Sequence, residues 1–71
     1  MSKRAMVHPE YYAIPAYMIL AKKSYADCAK YLEMCVRSYK EKIKGYSDFS
    51  AKQALDLSDY LGVTQGQLFL T

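Results

Sequence analysis

Apolar residues recur along this chain at three- and four-residue spacing and nowhere alternate over a useful length, so the pattern predicts helices and no strands. Cys28, Ala29 and Leu32 repeat in one segment, Tyr39 and Ile43 in the next, and Ala51, Ala54, Leu55, Ser58 and Leu61 in a third. Leu68 and Phe69 are expected to close the core from the C-terminal side. The starts of these segments are marked chemically. Ser24-Tyr-Ala-Asp27, Ser50-Ala-Lys-Gln53 and Thr64-Gln-Gly-Gln67 each place a hydroxyl three residues before an acid or amide. At that spacing the hydroxyl accepts from an N3 amide and the N3 side chain returns a bond to the cap amide, so two orphan donors are satisfied together. The stops agree: Gly45 and Gly62 follow Lys44 and Leu61, where a left-handed residue without Cβ ends a helix cheaply. Pro15 suits the first turn of a helix, because the proton it lacks has no partner there.

The spacing therefore predicts helices near 15–23, 25–32, 36–44, 51–61 and 65–70, with a short turn over His8–Ala13 as an optional addition. Residues 1–13 read as a partly flexible arm and 14–71 as one domain. Seventy-one residues support a single core, and five short helices fit only as a compact all-α bundle.

Charge changes the picture once it is divided. The net charge is +3, but residues 1–44 hold nine Lys/Arg against four acids, whereas residues 45–71 hold Lys52 against Asp48, Asp56 and Asp59. A basic N-terminal part suggests a face for a polyanion. The longest apolar run, Ala16–Ala21, is far short of the roughly 20 residues of a membrane span, and Glu10 and Pro15 interrupt any signal-like segment, so a cytoplasmic protein is expected. Cys28 and Cys35 are seven apart and His8 is the single histidine, which makes no metal site; both thiols are expected reduced and buried, packing as small hydrophobes. No nucleophile motif, paired acids or phosphate-cradling glycine loop is present, so neither catalysis nor a cofactor nor a small-molecule substrate is expected.

The segments at 25–32 and 36–44 are joined by Glu33-Met34-Cys35 alone. So short a link forces a sharp corner, with Met34 beneath it in the core, which is the geometry of a helix-turn-helix. With Tyr39 and Ile43 inward, the outward stripe of the second helix is Arg37, Lys40, Glu41 and Lys44, with Val36 and Ser38 at its N-terminal edge. Base-edge contacts are accordingly expected from Val36, Arg37, Ser38, Lys40 and Glu41, Arg37 being the best placed for guanine O6 and N7. Phosphate contacts are expected from Lys22, Lys23, Ser24, Tyr25, Lys44 and Tyr46, which would set register without reading sequence.

The segment Ala29–Phe69 resembles the Cro/repressor-type (XRE-like) helix-turn-helix proteins, especially short Gram-positive prophage regulators. The likeness lies in Ala29-Lys-Tyr-Leu32, in Tyr39 with Lys42-Ile43-Lys44-Gly45, in Ser47-Asp48-Phe49-Ser50, and in Ala54-Leu55 with Tyr60-Leu61-Gly62-Val63 running to Leu68-Phe69. It implies a five-helix lambda-repressor-like DNA-binding domain, the helix at 36–44 as recognition helix, and homodimers on palindromic double-stranded DNA. Departures from the family pattern are Tyr25 in place of a phosphate-binding Gln, Cys28 in place of Leu, Glu33 in place of a left-handed Gly, and Val36 in place of a polar reader. A second reading follows from these: a protein-interaction module that pairs with another repressor. Of the eight tyrosines, Tyr17, Tyr31, Tyr39 and Tyr60 are expected in or beside the core, and Tyr11, Tyr12, Tyr25 and Tyr46 exposed. Met1–Arg4 is expected to be a frayed terminus, a basic arm in the minor groove being the alternative.

Overall fold

Three of the helices among the described residues begin where a hydroxyl side chain is placed to cap them. The computed structural model describes residues 5–69, so the basic terminus Met1–Arg4 and the expected helix end at Leu70 lie outside the described residues. Five helices follow in order: α1 (Ala13–Leu20), α2 (Tyr25–Tyr31), α3 (Val36–Lys44), α4 (Ala51–Leu61) and α5 (Gln65–Leu68). There is no strand among the described residues. All three hydroxyl boxes form. Ser24 Oγ accepts from the Asp27 amide at 3.1 Å while Asp27 Oδ2 accepts from the Ser24 amide at 2.9 Å. Ser50 with Gln53, and Thr64 with Gln67, repeat the exchange at the starts of α4 and α5. The Ser24 amide, joined by its hydroxyl, holds the Asp27 carboxyl below its ordinary value.

The ends share one device carried by different residues. Gly45 (φ 105°) and Gly62 (φ 72°) take the left-handed conformation, and so do Lys22 (φ 58°) and Glu33 (φ 59°). After α1 the Lys23 amide donates to the Met18 carbonyl and the Lys22 amide to Ile19; after α2 the Met34 amide donates to Ala29 and the Glu33 amide to Lys30. These are paired six-to-one and five-to-two closures, which satisfy the last carbonyls of each helix. They also correct the expected limits of α1: it runs Ala13–Leu20 rather than 15–23, because Lys22 turns left-handed. A β-carbon at such a position costs about 1 kcal/mol, so Lys22→Gly and Glu33→Gly are each expected to raise stability by about 0.5–1 kcal/mol in urea unfolding, net of the extra freedom glycine gives the unfolded chain.

The core gathers Ile14 and Met18 of α1, Cys28, Ala29 and Leu32 from α2 and its end, Tyr39 and Ile43 of α3, Leu57 and Leu61 of α4, and Leu68 of α5. Met34 packs against it from the turn. Each fully buried aliphatic side chain here contributes about 1.5–3 kcal/mol of apolar burial. α2 packs on α3 and α4, and α5 on α1 and α4, while Tyr39 and Ile43 tie α3 into the shared core.

Several expectations are corrected. Leu55 is 49% exposed and Ala51 is exposed, while Leu57 is fully buried. The inward face of α4 is 57, 58 and 61, and the Ser58 hydroxyl is satisfied by donating to the Leu55 carbonyl at 2.8 Å. Cys35 is exposed, because it is the residue before α3 and points along the turn; Cys28 is buried as expected, and both thiols are free. Tyr31 is 48% exposed, stacked on Tyr60 at 4.2 Å on the surface. Tyr25 and Tyr46 are half-buried rather than exposed.

Tyr11, expected outside, is buried in the core cluster. Its ring stacks on His8 at 4.0 Å and meets Phe69 edge-on at 5.1 Å, and its hydroxyl donates to Asp48 at 3.1 Å. Around it, the Val7 amide donates to the Gly45 carbonyl, the Tyr11 amide to the Ile43 carbonyl, and His8 Nε2 lies 2.8 Å from the Ser47 carbonyl oxygen. The chain before α1 thus lies against the end of α3 and the loop that follows it. Its partners on α3 and the following loop are 32 or more residues away in sequence, which is why local pattern gave no sign of them.

Candidate nucleic-acid interface

The Glu33–Cys35 turn delivers the chain into α3 with Tyr39 and Ile43 facing inward. The opposite side therefore faces solvent, and there Arg37, Lys40 and Lys44 are exposed, while Glu41, Val36 and Ser38 are half-buried. Val36, Arg37, Lys40, Glu41, Lys44 and Tyr46 together line one shallow depression of about 410 Å³ along the helix. All six are sequence-expected site residues. Ser38 lies off this depression, its hydroxyl 3.2 Å from the Cys35 sulfur. That hydroxyl and the backbone amides at the start of α3 draw the exposed Cys35 thiol below its ordinary pKa.

Both leading cations have partners within the molecule. Arg37 Nε is 3.7 Å from Glu41 Oε2, one turn further along α3, and Lys40 Nζ lies 5.0 Å from the centre of the Tyr25 ring. An exposed ion pair of this kind is worth only a few tenths of a kcal/mol, so either group can be given up to a ligand at little cost. Tyr25 also packs edge-on against Tyr39 at 6.0 Å. It therefore ties the start of α2 to the middle of α3 and positions Lys40.

Lys23, Ser24 and Tyr25 line a second depression with Pro15, Met18 and Ile19, between α1 and the start of α2. The Ser24 hydroxyl accepts from the Asp27 amide and lies within reach of its carboxyl. Lys23 Nζ is 4.8 Å from the centre of the Tyr60 ring, which directs it away from Tyr25. Lys22 is exposed on the left-handed turn. The eleven expected residues thus fall into two groups joined through Tyr25, with Lys22 and Ser38 at the margins.

Two acidic groups, Glu10 and Asp27, lie near the candidate cations. Glu10 lines a cleft with Pro15, Tyr25, Lys40, Ile43 and Lys44, beside the cations of α3. Asp27 sits at the start of α2 near Ser24. Its capping role was legible in the sequence; its place beside the phosphate-binding candidates follows only from the fold. Among the described residues no group of three His, Cys, Asp or Glu side chains is placed to hold a metal ion, and no helix is long and apolar enough to cross a membrane.

No family model matches the chain, and no curated protein matches it. Its fold, however, is found among solved structures. A hypothetical transcription factor, NHTF, from Neisseria superposes with a TM-score of 0.71 at 15% identity over 84% of this chain and 69% of that one. The SOS-response transcriptional repressor LexA from Eubacterium rectale gives 0.68 at 17% identity over 82% of this chain and 62% of its own. The chain therefore spans about two-thirds of the length of these neighbours, and what it shares with them is the all-helical fold that carries a helix-turn-helix.

Proposed function

We propose that this chain is a sequence-specific DNA-binding transcription regulator of the phage or prophage type, acting in the cytoplasm as a homodimer, with α3 in the major groove of double-stranded DNA. The observation that carries the reading is the single exposed face of α3, on which Arg37, Lys40 and Lys44 stand one helical turn apart on a helix tied into the core by Tyr39 and Ile43. Cations at this spacing suit a groove lined by phosphates, with the residues nearest the helix start reaching base edges. The fold neighbours, described as a transcription factor and a transcriptional repressor, support the same reading. In it, Arg37 leaves Glu41 to bind guanine, Glu41 accepts from a cytosine N4 amine, and Val36, Ser38 and Lys40 fill the neighbouring base positions. Lys22, Lys23, Ser24, Tyr25, Lys44 and Tyr46 bind backbone phosphates.

Two substitutions separate these roles. Arg37→Ala is expected to lower discrimination between a preferred and a scrambled duplex by about tenfold or more, while Lys44→Ala weakens binding to both alike and reduces the salt slope by about 1. Titrations of both duplexes at several salt concentrations read this out. Equal losses of discrimination from the two variants would contradict the assignment.

The carboxylates at the two ends of α2, Asp27 and the exposed Glu33, favour a second reading. Negative charge flanking the entry to a groove opposes phosphate, and suits a basic protein surface. In this reading the chain is a protein-interaction module that pairs with another helix-turn-helix repressor. Specific duplex binding at moderate salt by the chain alone would reject it.

A further inference from the structure

α1 is apolar on both sides. Ile14 and Met18 enter the core, while Tyr12, Ala16, Ile19 and Leu20 are all exposed, at 72%, 76% and 77% for Tyr12, Ile19 and Leu20. At about 100° per residue these four fall within an arc of about 100° on the side opposite Ile14 and Met18. A helix that is apolar all round is ordinarily covered all round. The outer side of α1 offers roughly 400 Å² of apolar surface, about the size of the largest patch on a typical monomer, which is often functional.

The distribution of charge points to what covers it. From Tyr11 to Ala21 the sequence has no charged side chain; Glu10 precedes this stretch and Lys22-Lys23 follow it. Two copies of a chain with net charge +3 repel each other over most approaches, but not where the surface is uncharged. A two-fold contact uses the same patch twice. With the two α1 helices antiparallel, Glu10 of each copy comes to the end where the other carries Lys22 and Lys23; with them parallel, like charges would meet. The exposed side of α5 is Gln65, Gly66 and Gln67 and provides no comparable apolar surface.

We infer that α1 is the face on which two copies of this chain pair, antiparallel, through Tyr12, Ala16, Ile19 and Leu20. The inference deepens the homodimer part of the function proposed above and does not depend on DNA. Two such patches bury about 800 Å², below the roughly 1,200 Å² at which stable interfaces begin. The dimer is accordingly weak, and tightens when both copies share one duplex.

Sedimentation equilibrium of the full chain without DNA, from micromolar to near-millimolar concentration, tests this. The wild type is expected to dimerise reversibly, and Ile19→Glu and Leu20→Glu to weaken dimerisation at least about tenfold each, with melting curves that show both variants folded. Glu10→Lys is expected to weaken it, and combining Glu10→Lys with Lys22→Glu and Lys23→Glu to restore it. A monomer at every concentration would overturn the inference and leave the face to a different protein. So would a dimer indifferent to both glutamates. Dimerisation through α1 by a chain that binds no duplex would uphold this inference while rejecting the DNA reading, so the two failures are distinguishable.

Discussion

Tyr39→Ala is expected to remove about 3–5 kcal/mol, a large share of the stability of the fold. Tyr39 is the largest fully buried side chain among the described residues, and it is where α1, α2, α3 and the loop before α4 meet. Its ring packs edge-on against Tyr25 and Phe49, each at 6.0 Å, and its hydroxyl donates to Met18 Sδ at 3.2 Å. Removing a buried aromatic ring costs about 3–5 kcal/mol, against a total of about 4–11 kcal/mol for a domain of this length. Tyr39→Phe keeps the ring and loses only weak hydrogen bonds to sulfur, at Met18 Sδ and the Cys28 thiol, so it is expected to cost about 1 kcal/mol or less. The pair also makes a pH prediction. Burial drives the Tyr39 phenol far above the ordinary tyrosine value of 10.0, with the Cys28 thiol adding to the shift. A folded-state pKa raised above the unfolded one gives stability that is complete below the unfolded value and is lost as pH rises beyond it. Wild-type stability should therefore fall above pH 10.0, and Tyr39→Phe should remove much of that fall. Urea unfolding at neutral and alkaline pH by circular dichroism measures all three effects.

The second large effect is expected at Gly45. Its φ of 105° lies outside the range a side chain accepts, and a β-carbon there would run into the His8 carbonyl oxygen and lie 2.8 Å from Met6 Cε. The glycine carbonyl is at the same time the acceptor for the Val7 amide at 2.7 Å. An added methyl group must therefore strain the end of α3 and push the preceding chain off it, taking the Tyr11 packing with it. We expect Gly45→Ala to cost about 3 kcal/mol, of which about 1–2 is backbone strain. Gly62 provides the control: it is also left-handed, but a β-carbon there meets nothing within 4 Å. Gly62→Ala should cost only the strain, about 1 kcal/mol. Equal urea midpoints for the two variants would show that the contact of residues 6–8 with Gly45 carries no stability.

Where local chemistry decided the structure, the sequence could be read. Sequence spacing placed helices near 36–44 and 51–61, and α3 and α4 occupy Val36–Lys44 and Ala51–Leu61, because a turn, a capping box or a glycine bounds each one. α1 was misjudged because its stop is Lys22, and nothing in a lysine announces a left-handed backbone. The family likeness did point to Glu33, which stands where that pattern has glycine and takes φ 59°. The face of α4 was misassigned because apolar residues stand at 54, 55, 57 and 61, which fits two overlapping stripes, and only packing against α2 and α5 selects Leu57 over Leu55. Tyr11 was invisible for a different reason: its burial depends on Asp48 and Phe69, far along the chain.

The candidate site was legible to the same degree and for the same cause. The stripe on α3 follows from helical period once Tyr39 and Ile43 are inside, and the residues that line its depression are those the period selects. The Tyr25–Lys40 contact and the approach of Glu10 to Lys40 and Lys44 belong to tertiary structure and leave no mark in spacing.

The account turns on whether α3 reads DNA. The most direct test is selection of bound duplexes from a random pool by the wild-type chain at moderate salt, repeated with Arg37→Ala. The account predicts that the wild type enriches a short motif containing a G·C pair and that Arg37→Ala relaxes the preference at that pair. Recovery of no motif, with every duplex held equally and feebly, would contradict it.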